Sequence, residues 1–132
     1  MNTYGLLGEH LEHSYSPRIH GLLADYDYRL FEVAPEQLED FLQNGNFSGL
    51  NVTIPYKKAV IPYCAELSEP ARAIGSVNTL LRRADGTLYG DNTDFLGFTH
   101  MLRNSGVRVN GRKILVLGDG GAAATVRVVL QA

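Results

Sequence analysis

The sequence predicts an α/β protein: a mixed, mostly parallel sheet with helices on both faces, followed by the first β-α unit of a second domain. Three observations carry this. Short apolar or alternating runs take turns with helix-period segments from Thr3 to Leu130, the order that builds a largely parallel sheet. Asp85-Gly86 sits between two apolar runs and marks a hairpin. Residues 113–117 (KILVL) lead straight into Gly118-Asp119-Gly120-Gly121 and then into an apolar helical stretch.

Element by element, residues 3–8 (TYGLLG) are short, apolar and closed by glycine, as in a buried strand. Ser16-Pro17 starts a helix over 17–24: serine caps, proline suits the first helical position, and Ile19, Leu22 and Leu23 share a face. Residues 28–33 alternate and read as a second strand. Pro35 opens a second helix with Leu38, Phe41 and Leu42 on one face, ended by Asn44-Gly45. Residues 47–54 form a third strand, stopped by Pro55. The spacing predicts a helix over 56–67, limited or kinked by Pro62 and holding Cys64 as an inert residue.

Ser68, ahead of Glu69-Pro70, restarts a short helix. Residues 77–83 and 87–89 make the hairpin. Thr93 caps a helix with Phe95, Phe98 and Leu102 on one face. Gly97 inside it costs about 1 kcal/mol against alanine, which points to close packing there. Ser105-Gly106 ends that helix. Residues 108–112 (RVNGR) are polar and mark a boundary, so that 1–107 form one domain and 108–132 begin another. Residues 113–117 read as a continuous apolar strand and 122–130 as a helix.

Composition narrows the class. With 132 residues, 45% apolar and 20% charged, the chain has the length and make-up of about one globular domain. No apolar run approaches a membrane span, and the N-terminus lacks the pattern of a signal peptide. The single Cys64 forms no internal disulfide, and no Cys/His spacing suits a metal. A net charge of −2 gives no reason to expect nucleic acid. A soluble, cytoplasmic domain without a membrane partner is the expectation.

The glycine cluster has a chemical reason. Without a Cβ, the loop backbone turns tightly and approaches a diphosphate, while the helix start aims N–H groups at the negative charge. Gly118, Gly120, Gly121 and Ala122 are the candidate cofactor contacts. The spacing is close to G-x-G-x-x-G without matching it, and Ala123 takes the last position. A ligand-free strand-to-helix turn is the other reading of the same residues. Asp119 would repel phosphate and is expected to face solvent. Only eleven residues follow Gly121, whereas the ribose-reading residue of a dinucleotide site lies about 20 residues on. A nucleotide domain lacking its remainder is the simpler expectation, and completion by a second copy in a homodimer the other.

A second set of polar residues sits where strands meet helices: Ser14 and Ser16, Asn51 and Thr53, Lys57 after Pro55, Asn78 and Thr79, and the run Asp91-Asn92-Thr93-Asp94. In open α/β sheets ligands bind beyond the carboxyl ends of strands. Hydroxyls and amides there suit a small hydroxylated acid, and one lysine with one aspartate can run acid–base chemistry. Each residue also has a plainer reading. Ser16 and Thr93 can be caps, Asn51 and Asn78 can satisfy backbone, and Lys57 and Lys58 can be solvated charges. Asp94 can complement a helix start. The four histidines read as surface or packing residues, and the tyrosines and phenylalanines as core.

Taken together, YGLLGEHLEHSYSPRIH, GLNVTIPYK, IGSVNTL, GDNTDFLGF and VLGDGGAAAT, in this order, resemble the shikimate dehydrogenase family. The resemblance implies a substrate domain followed by a Rossmann-type NADP domain, and the NADP-dependent interconversion of 3-dehydroshikimate and shikimate. By position it implies that Ser14 and Ser16 hold the substrate carboxylate. Asn51, Thr53, Asn78 and Asp94 would bind ring hydroxyls, and Lys57 would be the acid/base beside Asp94. Gly118, Gly120 and Gly121 would face the cofactor diphosphate. The family's 2′-phosphate-reading basic motif, its nicotinamide side and a late substrate-binding glutamine have no counterpart in these 132 residues. The expectation is therefore that the isolated chain is inactive. A substrate-binding or regulatory module, or a quinate-preferring relative, are the competing expectations.

Overall fold

The computed structural model describes residues 2–132. Six strands make one sheet: β1 (Thr3–Gly8), β2 (Asp27–Glu32), β3 (Gly49–Val52), β4 (Cys64–Leu67), β5 (Thr79–Arg82) and β6 (Leu88–Asp91). Their spatial order is β2-β1-β3-β5-β6-β4. The β1–β2, β1–β3 and β4–β6 pairs are parallel, while β3–β5 and the β5–β6 hairpin are antiparallel. A mixed, mostly parallel sheet is thus what forms. The helices are α1 (Ser16–Leu23), α2 (Leu38–Asn44), α3 (Glu69–Ile74), α4 (Asp94–Asn104) and α5 (Gly121–Gln131).

Period-two alternation sorts the sheet into two faces. Leu7, Leu50, Val52, Leu80 and Leu88 point to one side, where Leu38 and Leu42 of α2, Ala71 of α3, Tyr56 and Val60 complete the buried core. Tyr4, Tyr28, Asn51, Thr79 and Leu81 share the opposite side. There His20 of α1 stacks on Tyr28, so helices do lie on both faces.

Several local expectations hold. Ser68 caps α3, its hydroxyl accepting from the Ala71 N–H at 3.1 Å. Gly86 takes φ +85 in the hairpin turn, a conformation open to glycine. Others are corrected. The helix expected over 56–67 is a turn, a short 3₁₀ segment (Ile61–Tyr63) and β4. Pro62 removes a helical donor, and Cys64 instead pairs with Leu88, a partner that local spacing cannot reveal. Cys64 is therefore a strand residue.

Ser16 does not cap α1: it is the first helical residue, and the Ser14 hydroxyl accepts its N–H at 3.2 Å. Thr93 occupies the cap position of α4 without a capping bond, because its hydroxyl is engaged with Asn78. Gly97 meets nothing within 4 Å of where a Cβ would stand, so it is not the site of close packing. The strand expected over 113–117 is absent. Those residues are apolar but have no ladder partner among the described residues, and Leu115 and Leu117 are more than four-fifths exposed.

Candidate functional site

The turn after β3 builds the first half of the site. The Thr53 N–H donates to the Leu7 carbonyl at 2.9 Å, the Ile54–Pro55 peptide is cis, and the Tyr56 N–H closes the turn on the Thr53 carbonyl. Tyr56 is buried and its hydroxyl donates to the Val33 carbonyl, which anchors the turn in the core. Lys57 emerges next. Its own carbonyl accepts the Val77 N–H at 2.7 Å, which fixes the lysine backbone against the segment leading into β5.

The start of α4 builds the second half. Asn92 is buried, donates to the Ser76 carbonyl at 2.8 Å, and accepts the Asp94 N–H at 3.1 Å. Asp94 is thereby held at the first turn of α4, where the helix dipole favours a carboxylate. Lys57 Nζ donates to Asp94 Oδ2 at 2.9 Å, with the lysine side chain about one-quarter exposed and the aspartate a little under half. This is a charge-assisted hydrogen bond in a partly solvated position, suited to holding geometry more than to stabilising the fold. Asn92 was visible in the sequence only as one of four polar residues; its role as the bracket for Asp94 follows from burial.

The remaining candidates fall into neighbouring groups. Asn78 is committed largely to structure: its Oδ1 accepts the Thr93 N–H and the Thr79 hydroxyl, each at 2.9 Å, and its Nδ2 donates to Thr93 Oγ1. One of its two amide hydrogens is left for a ligand. Ser14 and Thr53 line one cavity of about 420 Å³ with Leu6, Leu11 and His13. Asn51 Oδ1 accepts the Tyr28 hydroxyl at 2.8 Å. Burial pushes the Tyr28 phenol up to about 12. Burial likewise pushes the Cys64 thiol up to about 11, which disfavours the reactive thiolate.

The glycine loop reaches the same neighbourhood. Gly118 takes φ +115, Gly120 occupies the cap position of α5, and Gly121 is its first residue. A Cβ on Gly121 would stand 3.1 Å from Ser76 Oγ and 3.4 Å from Lys57 Cδ, so a larger residue would crowd the lysine. Ser76 Oγ is buried without a hydrogen-bond partner. Ala122 lines a cavity of about 330 Å³ together with Thr93 and Asp94. The structure thus joins Lys57, Asp94, Gly121 and Ala122, separately joins Ser14 with Thr53, and does not bring Ser16 into either group. The largest cavity, about 900 Å³, borders Asn51 and Thr79 on the open sheet face and includes neither Lys57 nor Asp94.

Fold and site together define an α/β domain with a lysine–aspartate pair beside a glycine-rich helix start. The family model for the shikimate dehydrogenase substrate binding domain matches residues 6–80, more than half of the chain, and the chain belongs to that family. A shikimate dehydrogenase (NADP(+)) of Clostridium beijerinckii is 42% identical over 96% of this chain and 49% of its own length. Among solved structures, shikimate dehydrogenase 1 from Peptoclostridium difficile superposes with a TM-score of 0.90 at 36% identity, covering 99% of this chain and 51% of that one. A shikimate 5-dehydrogenase from Thermus thermophilus in complex with shikimate gives 0.86 at 35% identity, with 99% and 52% coverage. The chain spans about half the length of the curated relatives it matches.

Proposed function

We propose that these residues are the substrate-binding and acid–base half of an NADP-dependent shikimate dehydrogenase, with residues 1–107 as the substrate domain and 108–132 as the start of a Rossmann-type domain. The observation that carries this is the Lys57–Asp94 pair at 2.9 Å, with Gly121 packed against the same lysine. The relatives' names and the bound shikimate in the Thermus thermophilus structure support it. Among the described residues no helix is long and apolar enough to cross a membrane, which agrees with a cytoplasmic enzyme.

The cofactor fits the residues present. A Cβ at Gly121 would stand 3.1 Å from Ser76 Oγ, tighter than most contacts, and would touch Lys57, and the first N–H groups of the 11-residue α5 are available to a diphosphate. Gly118, Gly120, Gly121 and Ala122 would hold that part of NADP(H). When bound, the cofactor supplies the hydride that reduces the ring ketone. Lys57 Nζ gives its proton to the carbonyl oxygen as negative charge develops there, and recovers one in the reverse direction. Asp94 accepts from the lysine and from a neighbouring ring hydroxyl, which fixes the reacting oxygen relative to Nζ. Ser14 and Ser16 hold the substrate carboxylate, while Asn51, Thr53 and Asn78 take ring hydroxyls.

The test is turnover in a protein of the relatives' full length that carries these residues. Lys57→Ala should lower kcat by about 10²–10⁴-fold while shikimate affinity stays within several-fold, because acid–base assistance acts mainly in the transition state. The exposed Lys58→Ala is the internal control and should do little. Near-normal turnover of Lys57→Ala removes the assignment.

A further inference from the structure

The residues around Asn51 form a connected set that the sequence reading left among core tyrosines and surface histidines. Tyr28 lies on β2 and Asn51 on β3, on either side of β1 and on the same sheet face. The Tyr28 side chain reaches across β1, and its hydroxyl donates to Asn51 Oδ1 at 2.8 Å. The ring is clamped. His20 from α1 stacks on it at 3.8 Å between centroids and 11° between planes, and Tyr26 meets it edge-on at 6.4 Å. The Tyr26 hydroxyl is in turn hydrogen-bonded to His20 Nδ1.

An asparagine amide is ambiguous as a ligand contact, since a half-turn exchanges its acceptor and donor ends. Here the Tyr28 phenol selects between the two ends. A phenol has one proton. The Tyr28 hydroxyl gives that proton to Asn51 at 2.8 Å, so Asn51 presents its carbonyl there. A flipped amide would set an N–H against the phenol oxygen and take away the acceptor of the phenol proton. Among the described residues Asn51 Nδ2 has no partner, which leaves both its N–H groups to donate to a ligand oxygen.

We propose that Tyr28 is a positioning residue for the substrate: through its hydrogen bond to Asn51, with the ring held by His20, it fixes the Asn51 amide as a donor. The inference rests on the reading of this site as one that holds shikimate. It explains a tyrosine hydroxyl and a stacked histidine on a sheet face that is otherwise open.

The experiment compares the ¹⁵N-labelled chain with Tyr28→Phe, Asn51→Ala and the double variant, in the free state and during shikimate titration. Tyr28→Phe keeps the ring and its stacking. In the free chain the Asn51 side-chain amide signals should move in Tyr28→Phe while core backbone signals stay in place. Unmoved amide signals overturn the positioning role whatever the ligand does. In the titration, Tyr28→Phe should weaken shikimate binding by about three- to tenfold, the scale of one neutral hydrogen bond. The double variant should bind no worse than Asn51→Ala alone. Equal binding by Tyr28→Phe and the parent chain, or losses that simply multiply in the double variant, overturn the proposal. If the parent chain takes no shikimate at millimolar concentration while the amide signals move as expected, the substrate reading fails and the orientation of Asn51 stands as a feature of the fold alone.

Discussion

The six-stranded body and the segment from residue 107 onward are both rich in apolar residues, yet they are ordered by different means. In the body, Leu7, Leu50 and Leu80 lie on neighbouring strands, each below 3% exposed, with ladder bonds to both sides and α2 packed across them. In the C-terminal segment, Ile114, Leu115 and Leu117 are equally apolar but 46–86% exposed, and no strand forms. Only α5 is tied in, through contacts with α3 and α4 and through Gly121 at Ser76 and Lys57. A strand is a property of a pair: an apolar run becomes one only where another backbone supplies donors and acceptors. The body contains its own partners, and residues 113–117 have none among the described residues.

Hydrogen exchange should show the largest contrast. Backbone amides of Leu7, Leu50 and Leu80 should exchange at least about 10³-fold more slowly than those of residues 114–117, because the former open only with the whole body. Comparable protection in the two sets would mean that the C-terminal run finds a partner in solution, and a concentration series would then show whether it is a second copy. Truncation in the core gives the next contrast. Leu80→Ala should destabilise the chain by about 2–5 kcal/mol in denaturant titrations, whereas Leu115→Ala should stay within about 0.5 kcal/mol. A large cost for Leu115→Ala would place it in a packed site that its 82% exposure denies.

The smallest effect tests a local device inside the body. Ser68→Ala should cost about 1 kcal/mol by removing the capping bond to Ala71. The corresponding change Thr93→Ala tests whether cap position or bonding partner matters. Its hydroxyl bonds Asn78, so the loss should appear as displacement of the Asn78 signals and not as fraying of α4.

What the sequence determined by itself was whatever depends on neighbours in the chain. The Asp85-Gly86 hairpin, the Ser68 cap and the glycine loop into α5 all rest on contacts within a few residues and stand as read, while Pro35 opens a 3₁₀ turn (Pro35–Gln37) that leads into α2 at Leu38. The motif order also marked Lys57 and Asp94, although their 2.9 Å meeting spans 37 positions. Tertiary structure decided the rest. Residues 64–67 became a strand because β6 offered a ladder, against an apolar spacing that suited a helix. Thr93 gave up capping because Asn78 claimed its hydroxyl, and Ser16 became the first residue of α1, one place too late to cap it. The donor end of Asn51 was set by a phenol 23 residues away. In each case the local preference is worth about 1 kcal/mol or less. Burying an unpaired polar group costs as much or more, so the partner brought by the fold outweighs the preference written in the sequence.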